Sequence, residues 1–122
     1  MPFAKLIGAE LLSATPEEVR GRINWAQKLC TTGGVMHGGA LMALADSVGA
    51  YCAVLNLPEG AGTATIESKT NFFRAVREGF VEAVSTPLHV GRSTIVVQTD
   101  LHDSHGRRVA RVTQTQAVIS GP

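Results

Sequence analysis

The sequence predicts an α+β domain in which a curved antiparallel sheet of about six strands wraps one long central helix. Three observations predict it. Only one stretch, from about Gly38 to Leu55, is long and helical in pattern, and it has almost no charged face. The rest is dominated by period-two alternation. Helix and strands are also segregated: two weak strands, then the helix, then four long strands that follow one another as hairpins. With 122 residues and no linker, repeat or low-complexity segment, residues 1–122 read as a single domain.

Taken in order, Phe3–Gly8 predicts a short helix or turn. Ala9–Ala14 and Glu17–Trp25 predict two strands joined near Thr15-Pro16. In the second, Val19, Gly21, Ile23 and Trp25 alternate with Arg20, Arg22 and Asn24. Gln27–Gly34 is a loop. The helix follows: Ala40 to Ala45 are good helix formers, and Val48, Tyr51, Cys52 and Leu55 continue at helical spacing. Asn56, Pro58 and Gly60 end it. Only Asp46 and Ser47 interrupt its apolar surface, so the helix should be wrapped by other elements. Thr63–Phe73, Phe80–Val90, Ser93–His102 and Arg108–Ile119 predict the long strands. Asp103–Gly106 turns between the last two, with Gly106 free to take positive φ. One helix covers one sheet face, so the far face or an edge favours a partner subunit.

Composition narrows the function classes. Apolar residues make up 44% and charged residues 17%, which is globular. A net charge of +1 and an aromatic content of 5% argue against a nucleic-acid surface or an anionic-membrane surface. Cys30 and Cys52 are too few for a disulfide scaffold and wrongly spaced for zinc, which suits a reducing compartment. The start, MPFAKLIGAELL, lacks the basic-then-apolar pattern of a signal peptide. No apolar run approaches the ~20 residues of a membrane span. The expectation is a soluble, cytoplasmic protein.

His37-Gly38-Gly39 at an apolar helix start, with Asp46 nine residues after the histidine, resembles the hotdog-fold acyl-CoA thioesterases. The subgroup is that of the phenylacetate-pathway and 4-hydroxybenzoyl-CoA enzymes. The resemblance continues in Thr65-Ile66-Glu67, Asn71-Phe72-Phe73-Arg74-Ala75 and Val90-Gly91-Arg92-Ser93. It implies that Asp46 acts on the thioester as general base or nucleophile and that the Gly38 amide binds the thioester oxygen, with Gly39 beside it. It further implies that His37 shapes the turn and that Thr65 is the hydroxyl beside the acid. Two positions depart from the family pattern. Thr31 stands where an Asn or Gln usually holds the thioester or the water, with Thr32 as a second hydroxyl, and Ala75 stands where proline is common.

The chemistry agrees with these residue types. Thioester hydrolysis builds negative charge on the carbonyl oxygen. A helix amino end supplies unpaired N–H groups and a positive dipole end, and glycine lets a ligand approach closely. Such a donor is worth ~3–4 kcal/mol of barrier. The bland alternative is that the glycines only form a turn. A carboxylate among apolar side chains costs several kcal/mol unless bonded, paired or neutralised, and a desolvated one is a better base; the alternative is an exposed stripe or a structural hydrogen bond. Thr65 could equally be an ordinary strand residue. His37 fits a structural cap slightly better than a substrate contact. Coenzyme A carries phosphates, for which Arg74 and Arg92 are the candidate cations and Ser93 and Thr94 further donors. His89, His102 and His105 have no clustered partners, so no metal and no cofactor are expected.

One distance decides the assembly. Gly38 and Asp46 lie about 12 Å apart along one helix, yet both must come within ~3 Å of one reacting group. An antiparallel partner helix can bring its Asp46 to this Gly38. The expectation is a homodimer with two shared sites, which the resemblance extends to a dimer of dimers. Two rivals stay open: an acyl-thioester hydratase or dehydratase, and a non-catalytic acyl-CoA-binding module.

Overall fold

A computed structural model describes residues 1–121. Its elements are α1 (Pro2–Leu6), β1 (Glu10–Thr15), β2 (Glu18–Asn24), α2 (Gly38–Leu55), β3 (Gly62–Phe72), β4 (Phe80–Val90), β5 (Thr94–Asp103) and β6 (Arg108–Ile119). Two 3₁₀ turns, Gln27–Leu29 and Thr32–Gly34, occupy the predicted loop. The six strands form one sheet in the order β1-β2-β4-β5-β6-β3. Every pair is antiparallel. One long helix on a six-stranded antiparallel sheet is the predicted architecture.

The strand order departs from the predicted run of hairpins at one place. β4, β5 and β6 do follow one another as neighbours, but β3 pairs with β6 at the sheet edge, Gly62 opposite Ile119 and Phe72 opposite Ala110. The crossing helix separates β2 from β3 and delivers the chain to the far edge. Residues 73–79 then return it to the centre. Sequential strands are neighbours only about two-thirds of the time, and nothing local in β3 records its partner.

α2 packs on the concave face through Leu41, Leu44, Ala45, Val48, Cys52 and Ala53, all buried. The facing strand residues Ile23, Val81, Ala83, Ile95, Val97 and Leu101 are fully inaccessible. Burial pushes the Cys52 thiol up to about 11, so it is an inert core group. The helix sits close on β2: a side chain at Gly21 would meet Val48 Cγ2 at 2.6 Å.

Two expectations need correction. The helix is not wrapped all round within one chain. Its outer stripe leaves Met42 37% and Val54 48% exposed, with exposed Asp46 between them. The sheet covers only one face of the helix, and this stripe stays open in the chain. Further, α2 at 18 residues is long and apolar enough, by length and composition, to cross a membrane. Here its apolar positions instead form the core against the sheet.

The convex face carries ion pairs. Glu82 accepts from both Arg20 and Arg22, and Arg22 lies 3.8 Å from the centre of the Phe80 ring. Arg111 grips Asp100 at 2.8 and 3.2 Å. At the β5–β6 turn Gly106 takes a φ of 79°, as predicted. Asp103, 6% exposed, closes that turn. It accepts the backbone N–H groups of His105 and Arg107, each at 3.0 Å, and Arg107 Nε–H at 2.9 Å. Burial alone would push its carboxyl up, but the Arg107 and His105 amides and the Arg107 guanidinium hold it below the ordinary carboxylate range.

Candidate active site

The amino end of α2 is held from several sides. Met36 N–H donates to Val76 O and His37 N–H to Leu29 O, both at 2.8 Å. His37 is the N-cap residue in extended conformation, and its Nδ1 accepts the Gly39 N–H at 2.7 Å. The next amides, of Ala40 and Leu41, donate to His37 O. Among the described residues this leaves the Gly38 N–H without a partner. The cap thus selects which amide stays free, and His37 Nδ1 is committed to the cap. Phe72 packs beside Gly38, where a Cβ would come within 3.0 Å of Cζ. A cavity of about 380 Å³ opens there, lined by Thr31, Gly38, Phe72, Phe73 and Arg74 among others. The Thr31 hydroxyl donates within its own turn, to Thr32 O at 3.1 Å and Val35 O at 3.3 Å.

The middle of α2 carries the acid. Asp46 Oδ1 accepts from Gln114 Nε2 at 3.3 Å and lies at the same distance from the Thr65 hydroxyl, whose one proton it shares with a second, nearer acceptor. No partner for Oδ2 is found among the described residues. Thr65 lies immediately before a register shift between Thr65 and Glu67, a bulge that re-aims the strand beside the acid. Behind it the polar groups continue inward. Gln114 Nε2 also donates to Gln116 Oε1 at 3.1 Å, and the Thr65 hydroxyl reaches the same oxygen at 2.7 Å. Gln114 is 0% and Gln116 1% exposed. These two glutamines were not anticipated. The signal for them is the β6 alternation: Ala110 and Val112 face inward, and Gln114 and Gln116 continue that face.

The remaining candidates fall into two places. Arg74 lies with Gly38 and Thr31 at the cavity. Arg92, Ser93 and Thr94 belong to the β4–β5 turn, closed by Gly91 N–H donating to Thr94 O at 2.8 Å. Thr94 pairs with Ala117, whereas Phe72, beside Gly38, pairs with Ala110. Those seven residues of β6 put the two groups about 23 Å apart in one chain. One chain therefore brings Asp46 to Thr65, and Gly38 to Thr31 and Arg74. It does not bring the acid to the free amide, nor Arg92 to Arg74. Among the described residues no three His, Cys, Asp or Glu side chains gather as a metal site.

The chain is similar in sequence and in fold to known proteins. The family model of the Thioesterase superfamily matches residues 33–110. A Vibrio cholerae protein is 39% identical over 85 residues, 70% of this chain and 57% of its own length. The 1,4-dihydroxy-2-naphthoyl-CoA hydrolase of Escherichia coli is 34% identical over 86 residues, 70% of this chain and 63% of its own. The match thus spans less than two thirds of the length of both relatives. The crystal structure of thioesterase HI1161 from Haemophilus influenzae superposes with a TM-score of 0.93 at 27% identity, covering 97% of this chain and 82% of that one. With helix α2, its capped amino end and the acid at its middle already in place, these matches show that the chain belongs to the thioesterase superfamily, a family of thioester-hydrolysing enzymes.

Proposed function

We propose that this protein hydrolyses aryl- or medium-chain acyl-CoA thioesters to a free acid and CoA. A single observation carries the reading: α2 has an uncommitted N–H at its amino end and an uncommitted carboxylate oxygen at its middle. The Gly38 N–H meets the carbonyl oxygen as charge builds on it. Either Asp46 Oδ2 takes a proton from water, which attacks the carbonyl carbon, or Oδ2 attacks that carbon itself and a water afterwards cleaves the resulting anhydride, releasing the acid and restoring the carboxylate. The C–S bond breaks, and the thiolate leaves and is protonated. Thr65 holds Asp46 or the water.

The two groups lie about 12 Å apart along one helix, which supports a site shared across a two-fold dimer. The surface beside them supports it too. β3 is an eleven-residue edge strand. Ile66 on it is 61% exposed, and its neighbour Thr65 reaches Asp46 on the open Met42–Val54 stripe of α2. An unpaired edge and an apolar stripe are what a second copy covers. An antiparallel partner brings its Asp46 toward this Gly38, and its Arg92, Ser93 and Thr94 toward this Arg74 to meet the CoA phosphates. Two such dimers pairing again into a tetramer, and a cytoplasmic location, complete the proposal.

His37 Nδ1 accepts the Gly39 N–H and lies about 14 Å of helix rise from Asp46 of the same chain, so a hydratase or dehydratase would need its His–Asp pair formed across subunits, and loss of an enoyl chromophore without thiol release would support it. The local commitment of the Thr31 hydroxyl favours the second reading, a non-catalytic acyl-CoA binder. Thiol release over a panel of aryl- and alkyl-CoAs separates the two. Release lost on Asp46→Ala supports hydrolysis, whereas saturable binding without release supports the binder.

A further inference from the structure

The two buried glutamines of β6 form a chain whose every amide orientation is forced. At one end Ala117 C=O can only accept, so the Thr63 hydroxyl donates to it at 2.7 Å. Thr63 Oγ1 therefore accepts Gln116 Nε2–H, at 3.2 Å. That turns Gln116 Oε1 toward Gln114 and Thr65, and Gln114 must present its NH₂ to it. At the other end a carboxylate also only accepts, and the second Gln114 N–H goes to Asp46 Oδ1. Both N–H groups of Gln114 are thus spent, and its Oε1 is left buried with no partner among the described residues. The amide lies tight against the helix. A Cβ at Gly49, three residues after Asp46, would collide with Gln114 Oε1.

Such a group is a net cost to folding. A buried carbonyl without a partner is destabilising, and an apolar side chain of the same shape removes the penalty. What Gln114 does supply is direction. An aspartate carboxylate rotates over a broad χ2 range, and the Gln114 N–H on Oδ1 restrains that rotation.

We propose that Gln114, oriented by Gln116, is a positioning residue that pins Asp46 through Oδ1 and leaves Oδ2 as the oxygen acting on the thioester. This rests on the hydrolase reading above. The test uses the intact protein and an acyl-CoA that the wild type hydrolyses. Gln114→Met keeps the volume and removes both donors and the orphan acceptor. The expected result is a kcat lower by about 10–100-fold, a KM within about twofold of wild type, and a melting temperature equal or higher. Gly49→Ala, which drives the amide off its seat while leaving its chemistry intact, should lower kcat in the same way. A Gln114→Met enzyme with wild-type kcat overturns the inference, as does one whose melting temperature falls with its activity, because the amide is then structural. A wild type that releases no thiol from any acyl-CoA overturns the hydrolase reading and this inference together. A wild type that does so while Gln114→Met is unchanged overturns only the latter.

Discussion

The β5–β6 turn and the middle of α2 each present an aspartate, and the two are treated in opposite ways. At the turn, Asp103 is buried and meets three N–H donors through both oxygens. In the helix, Asp46 is exposed, and only Oδ1 is held. Asp103 has no oxygen left for anything but the hairpin. Asp46 keeps one, at the cost of a neighbouring amide whose carbonyl is orphaned. A carboxylate that stabilises a fold has its lone pairs satisfied, whereas a carboxylate that reacts is fixed by one oxygen and open at the other.

The largest expected effect of breaking this contrast falls on Asp46. Asp46→Asn keeps the shape and removes the proposed base or nucleophile, so kcat/KM should drop by about 10³–10⁴-fold with the melting temperature unchanged in a thermal scan. Next is the amide at the other end of the site. Gly38 is the first residue of α2, where proline is tolerated, and the preceding His37 already has the extended backbone that proline demands (φ −62°, ψ 134°). Gly38→Pro deletes the donor, and Gly38→Ala controls for contact with Phe72. Relative to Ala, Pro should lose a further ~10²–10³-fold in kcat.

Asp103→Asn should do the reverse: kcat per folded molecule holds, and the melting temperature falls by about 4–8 °C for each kcal/mol lost. The pH dependence has a definite sign. Asp103 titrates lower when folded than unfolded, so its contribution is complete above about pH 4 and disappears as pH falls through the folded value. Denaturant titrations from pH 5 downward should show wild type losing stability toward the Asn variant. The smallest effect belongs to Arg92, exposed on the β4–β5 turn. Arg92→Ala should raise KM a fewfold, an effect that shrinks with added salt, as ~0–1 kcal/mol for a screened charge implies.

These contrasts were unevenly legible in the chain itself. The ends of α2 could be read from Gly38 and Asn56, because the apolar run starts and stops at residues that cap and break helices. The β5–β6 turn could be read from Asp103 to Gly106, since its signal is local. The place of β3 could not, because pairing with β6 is a contact between residues some forty or more positions apart in sequence. Asp46 stood out by its apolar neighbours, but they did not record that its side chain is exposed on the open stripe of the helix. Gln114 was hidden because glutamine in an alternating strand looks like a solvent-facing position until Ala110 and Val112 set the face.

Mixing inactive chains asks most directly whether the carboxylate of one subunit serves the amide of the other. Gly38→Pro and Asp46→Asn subunits, each inert alone, are co-refolded in equal amounts. Shared sites give each mixed dimer one intact site, so thiol release should return to about a quarter of the wild-type rate under random pairing. A mixture that forms dimers and stays as inactive as its two parents would contradict the account.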